Sequence, residues 1–238
     1  MNENVISQDP SSFQPSSQFA TTQDERRQRE NDRRQQARGD RRTGDDRRLI
    51  SRDGLVVRTV DGDDELDQVY RLIHDAYVEQ GYCQPRADGR LIYHETLTRS
   101  PQTHVLLAKK EDEVVGTLSA TLEGPLGLPL DPGFHTAHKR IAREKRALSV
   151  IWRLATHRDY RQNQFVVMEL IKLAVLSSIQ HGAITALCVF HDHHEKLYQR
   201  LFKMESMARC NTVDGFNNET FVMMRCDAEK CPPRWLPN

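Results

Sequence analysis

From Gly54 onward, apolar and polar residues fall into blocks of two periods, and the blocks predict an ordered series of strands and helices. Leu55-Val56-Val57-Arg58-Thr59-Val60 predicts a short strand, and Asp61-Gly62-Asp63 a turn that caps the next helix. Leu66, Val69, Tyr70, Ile73 and Tyr77 share one helical face that ends at Gly81, so this helix lies on a sheet. Leu91 to Leu97 predicts a short helix. His104 to Lys109 and Val114 to Leu122 predict a hairpin across Lys110-Glu111-Asp112-Glu113. Gly124-Pro125-Leu126-Gly127-Leu128-Pro129 ends it, and Thr136 to Arg146 predicts a basic, solvent-facing helix.

The second half has the more informative pattern. Leu148 to Thr156 is rich in β-branched and apolar residues and runs into a polar loop, His157 to Gln164, which reads as a buried strand ending at a loop. Phe165, Met168, Leu170, Ile171, Leu173, Ala174, Val175 and Ile179 recur at helical spacing until His181-Gly182, where glycine closes the helix. A strand, Ala183 to Phe190, and a helix, about His193 to Met204, come next. This order implies two strands with a helical crossover and a loop whose free backbone amides face the helix start. Glu205 to Val213 and Thr220 to Cys226 predict a final pair around Asp214-Gly215.

Composition adds the boundaries. The 238 residues are 37% apolar with a formal net charge of zero, so bulk charge does not favour a nucleic-acid partner. Up to Gln23 the chain is mostly Ser, Gln, Thr, Asn and Pro, and from Asp24 to Arg52 it is a mixed arginine and aspartate tract. Residues 1–52 are therefore expected to be a disordered arm, 53–228 the folded domain and 229–238 a tail. No apolar run is long enough to span a bilayer and MNENVISQDP is no secretion signal, so a cytoplasmic protein is expected. The five cysteines at irregular spacing fit a reducing compartment. His191-Asp192-His193-His194 reads as a polar turn with a helix cap, and no metal is expected.

The element order is α/β: a mixed, mostly antiparallel twisted sheet flanked by helices. It resembles the GCN5-related N-acetyltransferase (GNAT-like, acyl-CoA N-acyltransferase) fold. Three runs sharpen the resemblance: Ile73-His74-Asp75-Ala76-Tyr77-Val78-Glu79-Gln80-Gly81-Tyr82, Val114-Val115-Gly116-Thr117-Leu118, and Gly124 to Pro129. Together they look like the long-chain N-acyl amino acid synthase branch, which is related to acyl-homoserine lactone synthases. The resemblance implies transfer of a fatty acyl group from an acyl carrier protein thioester to the amino group of an amino acid. It implies no tightly bound cofactor, with acyl-phosphopantetheine or acyl-CoA as co-substrate. A CoA-dependent N-acetyltransferase and a non-catalytic protein that kept the fold are the alternatives.

Such a transfer needs a base for the amine, donors for the oxyanion and an acid for the departing sulfur. Tyr198 stands where the superfamily places the tyrosine that protonates the thiolate. Arg153 is the candidate for binding the acceptor carboxylate through its planar guanidinium. In related synthases a Glu stands three residues before that Arg, and here the position is Val150. His74 and Glu79 are the base candidates, with Tyr77 and Tyr82 lining an acceptor pocket. The donor loop comprises Arg158, Arg161, Gln162, Asn163, Gln164 and Phe165. Its Arg161-Gln162-Asn163-Gln164 replaces the superfamily's Arg-Gly-x-Gly, so a pyrophosphate cradle is disfavoured and a carrier-protein donor favoured. Leu118, Leu122, Ile151, Leu154, Phe165 and Met168 are candidates for an acyl cleft. The basic run His138, Lys139, Arg140, Arg143, Lys145 and Arg146 is a candidate dock for an acidic carrier.

Overall fold

In the computed structural model, residues 49–50, 54–211, 213 and 219–231 are described. The expected arm and the last seven residues of the expected tail otherwise lie outside them. The strands are β1 (Leu49–Ile50), β2 (Leu55–Thr59), β3 (Thr103–Lys110), β4 (Glu113–Leu122), β5 (Leu148–Thr156), β6 (Thr185–His191), β7 (Glu205–Cys210) and β8 (Phe221–Asp227). They form one sheet in the order β1-β2-β3-β4-β5-β6-β8-β7. Every neighbouring pair is antiparallel except β5 and β6, which the helical crossover makes parallel.

The strands alternate side chains between two apolar layers. Leu106 and Ala108 of β3 face one cluster with Val115, Leu118, Val166, Leu170 and Ala174, whereas Val105 and Leu107 face the other with Val69, Tyr70 and Ile73. The helix α1 (Asp63–Glu79) therefore covers one face and the crossover helix, Gln164–Gln180, the other. Gly116 sits where that crossover helix comes closest. A Cβ on it would lie 2.8 Å from Val166 Cγ1 and 3.1 Å from Leu170 Cδ1, inside van der Waals contact.

Three expectations need correction. The stretch from Leu91 to Leu97 is not a helix: only α2 (Glu95–Thr98), one turn, forms after His94 at φ 52°. Leu91 and Ile92 pack against the α1 cluster while Tyr93 packs against another, so the apolar residues serve two surfaces and not one helical stripe. The basic helix is shorter than expected, α3 (His135–Ala142), and it buries Ile141 completely behind a tight turn, Pro132–Phe134, whose Phe134 is also fully buried. The sheet also reaches back to Leu49, inside the stretch read as arm, because two residues suffice to pair with Val56 and Val57. Two consecutive aliphatic residues are too short a run for a periodicity to register.

The crossover unit forms as expected, with α4 (Gln164–Gln180) and α5 (Glu195–Phe202). Gly182, at φ +86°, closes α4 by donating to Ile179 O at 2.9 Å, a left-handed conformation that a side chain would strain.

Candidate active site

The site begins where β5 and β6 part. They pair from Leu148 with Thr185 to Ile151 with Cys188, and beyond that point Trp152–Thr156 and Val189–His191 no longer bond to each other. On the other side of β5, Ser119 pairs with Trp152 and Thr117 with Ala155, so Arg153 and Leu154 together oppose Leu118 alone. This is a β-bulge, and its first residue, Arg153, has φ +58°. A left-handed arginine inside a strand is strained by roughly 1–3 kcal/mol, and such bulges re-aim side chains and bend strands. Here the bulge coincides with the start of the wedge.

The wedge is an open cavity of about 770 Å³. β4 and β5 contribute Leu118, Ile151, Trp152, Arg153 and Leu154, and β6 contributes Val189, Phe190 and His191. Ile73 and Tyr77 line it from α1, Tyr82 to Arg86 and Leu91 to Tyr93 from the loops between α1 and α2, and His194 and Tyr198 from beyond β6. Tyr198 and Arg153 thus open on one space. Of the expected acyl-cleft residues Leu118, Ile151 and Leu154 line it, whereas Leu122, Phe165 and Met168 do not.

Arg153 is the dominant charge. Only 6% exposed, it donates from Nη2 to Ser119 Oγ at 2.9 Å and from Nη1 to Tyr93 O at 3.4 Å, and its guanidinium lies 4.0 Å above the Trp152 ring. Its Nε has no hydrogen-bond partner among the described residues, and none of these contacts is a carboxylate. Burial lowers its pKa to about 10, with the hydroxyls of Tyr70 and Tyr77 opposing the shift, so the group is still a cation at neutral pH. Val150, at the position where the resemblance implied a Glu, is fully buried beside Leu148 and Trp152 in the apolar core.

Tyr198 is 5% exposed and stacks on Phe190, ring centroids 4.1 Å apart. Burial raises its pKa above the ordinary phenol value, so it keeps its proton well into the alkaline range. Burial likewise raises Tyr77, and it raises Tyr82, which meets Tyr77 edge-on at 5.8 Å and stacks on His191 at 5.8 Å. These four side chains, Arg153, Tyr198, Tyr77 and Tyr82, line the same cavity.

The two base candidates are not. His74 is buried, with Nε2 accepting from Arg86 N at 3.0 Å and Nδ1 bonded to Asp75 Oδ1 at 2.8 Å, so both nitrogens are used to pin the loop after α1. Glu79 is held by Arg161 at 2.8 Å and Arg158 at 3.5 Å. Neither lines the cavity. Glu79 instead clamps the loop after β5 to the end of α1.

That loop is closed upon itself, a second correction. Arg161 N donates to Arg158 O, Asn163 N to Tyr160 O, Gln164 N to Gln162 O and Val166 N to Asn163 O, and Phe165 N is capped by Asn163 Oδ1 at 3.1 Å. The amides expected to be free at the start of α4 are occupied, and none of Arg158, Arg161, Gln162, Asn163, Gln164 and Phe165 reaches the cavity. The side chains that sequence reasoning missed are Trp152, Tyr93, Ser119, His191 and His194. Trp152, Ser119 and His191 are strand residues whose facing depends on the bulge and the splay, for which periodicity carries no signal.

Splayed parallel strands, one of them bulged, beside an apolar cavity lined by a buried tyrosine and a buried arginine make this the candidate active site. The family model described as N-acyl amino acid synthase FeeM matches residues 68–227, and the chain belongs to that family. No curated protein sequence matches the chain. Among solved structures, FeeM, an N-acyl amino acid synthase from uncultured soil microbes, is 16% identical with a TM-score of 0.63, covering 76% of this chain and 92% of its own. The acyl-homoserine lactone synthase LasI is 15% identical with a TM-score of 0.53, covering 73% of this chain and 90% of its own. BjaI, a CoA-dependent acyl-homoserine lactone synthase, is 17% identical with a TM-score of 0.51, covering 73% and 79%. These likenesses establish the acyl-CoA N-acyltransferase fold, and the family makes the protein an acyltransferase. No helix among the described residues is long and apolar enough to cross a membrane.

Proposed function

We propose that the protein moves a fatty acyl group from the phosphopantetheine thioester of an acyl carrier protein to the amino group of an amino acid. The observation that carries this reading is Arg153: a buried guanidinium with no carboxylate contact among the described residues, opening on an apolar cavity. An uncompensated buried cation is costly, and a ligand carboxylate would offset that cost while fixing the amine beside it.

The neutral acceptor nitrogen attacks the thioester carbonyl carbon, and the proton it sheds passes to water in the open cavity. The carbon–sulfur bond breaks as the amide forms, the thiolate takes a proton from the Tyr198 hydroxyl, and the phenolate recovers one from that water. Burial keeps that hydroxyl protonated until the sulfur leaves. Tyr77 and Tyr82 flank the acceptor, and Leu118, Ile151 and Leu154 give the acyl chain apolar surface at about 0.8 kcal/mol per buried methylene. In this reading neither His74 nor Glu79 is the base, because the hydrogen bonds of the one and the ion pairs of the other hold them outside the cavity lining.

The carrier donor is supported by the closed loop after β5, whose occupied amides leave little to hold the pyrophosphate of coenzyme A. Lys139, Arg140 and Arg143 project from α3 and its end as a basic surface suited to an acidic carrier, whereas Arg146 is drawn away by Glu229 at 2.6 Å. The competing donor, free acyl-CoA, draws support from the likeness to BjaI, a CoA-dependent synthase.

The deciding experiment offers the purified protein long-chain acyl carrier protein, long-chain acyl-CoA or acetyl-CoA with an amino acid mixture, and detects products by mass. N-acyl amino acids are expected from the carrier thioester well above those from the CoA thioesters. Equal or greater yield from acyl-CoA overturns the carrier reading, and acetylated products alone overturn the fatty-acyl reading.

A further inference from the structure

At the rim of the cavity, where β6 ends, three consecutive side chains converge. His191 Nδ1 lies 2.6 Å from His193 Nδ1 and 3.1 Å from Asp192 Oδ1. One ligand-type atom from each of the three lies within 4.8 Å of the others. Consecutive residues seldom turn their donors onto one point; the tight turn over Asp192–His194 brings these together. The cap expected from the sequence is present, with His193 N donating to His191 Nδ1, but at 3.4 Å it is long.

A separate contact comes from across the rim. His191 Nε2 bonds to Glu219 Oε2 at 2.7 Å, so the carboxylate holds the Nε2 proton and leaves Nδ1 as the lone-pair nitrogen. Nδ1 is also the nitrogen facing His193 and Asp192. A carboxylate behind one imidazole nitrogen with the other nitrogen turned toward further ligand-type atoms is the arrangement that orients metal-ligating histidines and raises their basicity.

We propose that His191 Nδ1, His193 Nδ1 and Asp192 bind a divalent transition-metal ion of the zinc class, with Glu219 orienting His191. Two nitrogens at about 2.0–2.1 Å from one ion sit farther apart than the metal-free pair, and the exposed His193 is free of the core and opens to that spacing. The ion displaces the proton now shared between the two Nδ1 atoms. Imidazole with one carboxylate suits zinc, cobalt or nickel over magnesium or calcium. Because His191 lines the cavity and stacks on Tyr82, the ion would fix the rim through which an acceptor passes. The site does not depend on the identity of the acyl donor or the acceptor.

The test is calorimetric titration of the untagged, chelator-treated full chain with Zn²⁺, repeated with Co²⁺ to read its d–d absorption. About one equivalent is expected to bind at micromolar or tighter affinity, with the Co²⁺ spectrum of nitrogen and oxygen ligands. His193→Ala is expected to weaken binding by at least about a hundredfold, and Glu219→Gln by about tenfold to a hundredfold, with circular dichroism unchanged. His193 is exposed, so its variant folds, and it leaves all five cysteines in place. Equal binding by the wild type and His193→Ala, a thiolate charge-transfer band with Co²⁺, or no binding at about 100 μM metal would overturn the assignment.

Discussion

Arg153 Nη2 donates to Ser119 Oγ at 2.9 Å across the bulge, so the neighbouring strand aims the guanidinium while its Nε stays without a protein partner among the described residues. A lysine at 153 keeps the charge but loses the planar fork that grips a carboxylate at two points. Arg153→Lys is expected to raise the acceptor KM by about tenfold to a hundredfold while kcat falls less, the mark of lost binding common to ground and transition states. Steady-state kinetics with the acceptor varied at saturating donor decide it. An unchanged acceptor KM would leave Arg153 as a structural arginine stacked on Trp152.

Tyr198 is tied to the core by its ring, through stacking on Phe190, and it also lines the cavity. Removing the hydroxyl alone therefore separates packing from proton transfer. Tyr198→Phe is expected to lower kcat by about 10²-fold, within the range for loss of a general acid, with the unfolding midpoint shifted by less than about 0.5 kcal/mol. A donor with a better thiolate leaving group restores part of the rate. If kcat is unchanged, Tyr198 is a wall of the cavity and nothing more.

Much of the fold was legible because the strands and long helices carry clean periods: β3 alternates between two apolar layers and α4 repeats at helical spacing up to Gly182. Tyr198, Arg153, Tyr77 and Tyr82, singled out beside the resemblance, all line one cavity. What was not legible has two physical causes. A bulge adds one residue to a strand without changing its composition, so a run of three consecutive residues, Trp152, Arg153 and Leu154, lining one cavity is invisible to a period-two reading. Hydrogen-bond commitments are also invisible, and it is those that hold His74 and Glu79 outside the cavity lining and close the loop before α4.

Gly116 sets the approach of α4 to the sheet, since a methyl group there would meet Val166 Cγ1 at 2.8 Å and both partners are fully packed. Gly116→Ala is expected to destabilise the protein by about 1–3 kcal/mol through overpacking. Val166→Ala in the same chain recovers part of the loss by making room, a coupling that urea unfolding of the two single variants and the pair measures. Strict additivity would mean that the strand shifts and the helix does not bear on Gly116.

His74 and Glu79 make opposite predictions from a base. His74→Ala orphans the Arg86 amide and is expected to cost about 1–3 kcal/mol of stability. Glu79→Gln loosens the clamp on the loop after β5. In both variants kcat at saturating substrates is expected to stay within about threefold of wild type. A loss of about 10² or more in either, with the acid limb of the pH–rate profile removed, would restore that residue as the base.

Glu65 ties β2 to α1 and supplies the clearest acid-sensitive contact. It accepts from Arg58 Nη1 at 2.6 Å, from Asp61 N at 2.9 Å and from Lys109 Nζ at 3.3 Å. The Arg58 hydrogen bond, with the Asp61 amide and the Lys109 contact behind it, lowers its pKa from 4.5 to about 2 against the opposing effect of burial. A carboxyl depressed in the folded state binds its proton more readily when unfolded. The stabilisation is therefore complete above the unfolded value and is lost as pH falls from about 4.5 to about 2. Solvent screening keeps it near about 1 kcal/mol. Glu65→Gln is expected to be less stable than wild type by that amount at pH 7, with the two converging near pH 2, as read by chemical unfolding at half-unit pH steps. A gap that does not change with pH would show that the glutamine, not the lost charge, accounts for the difference.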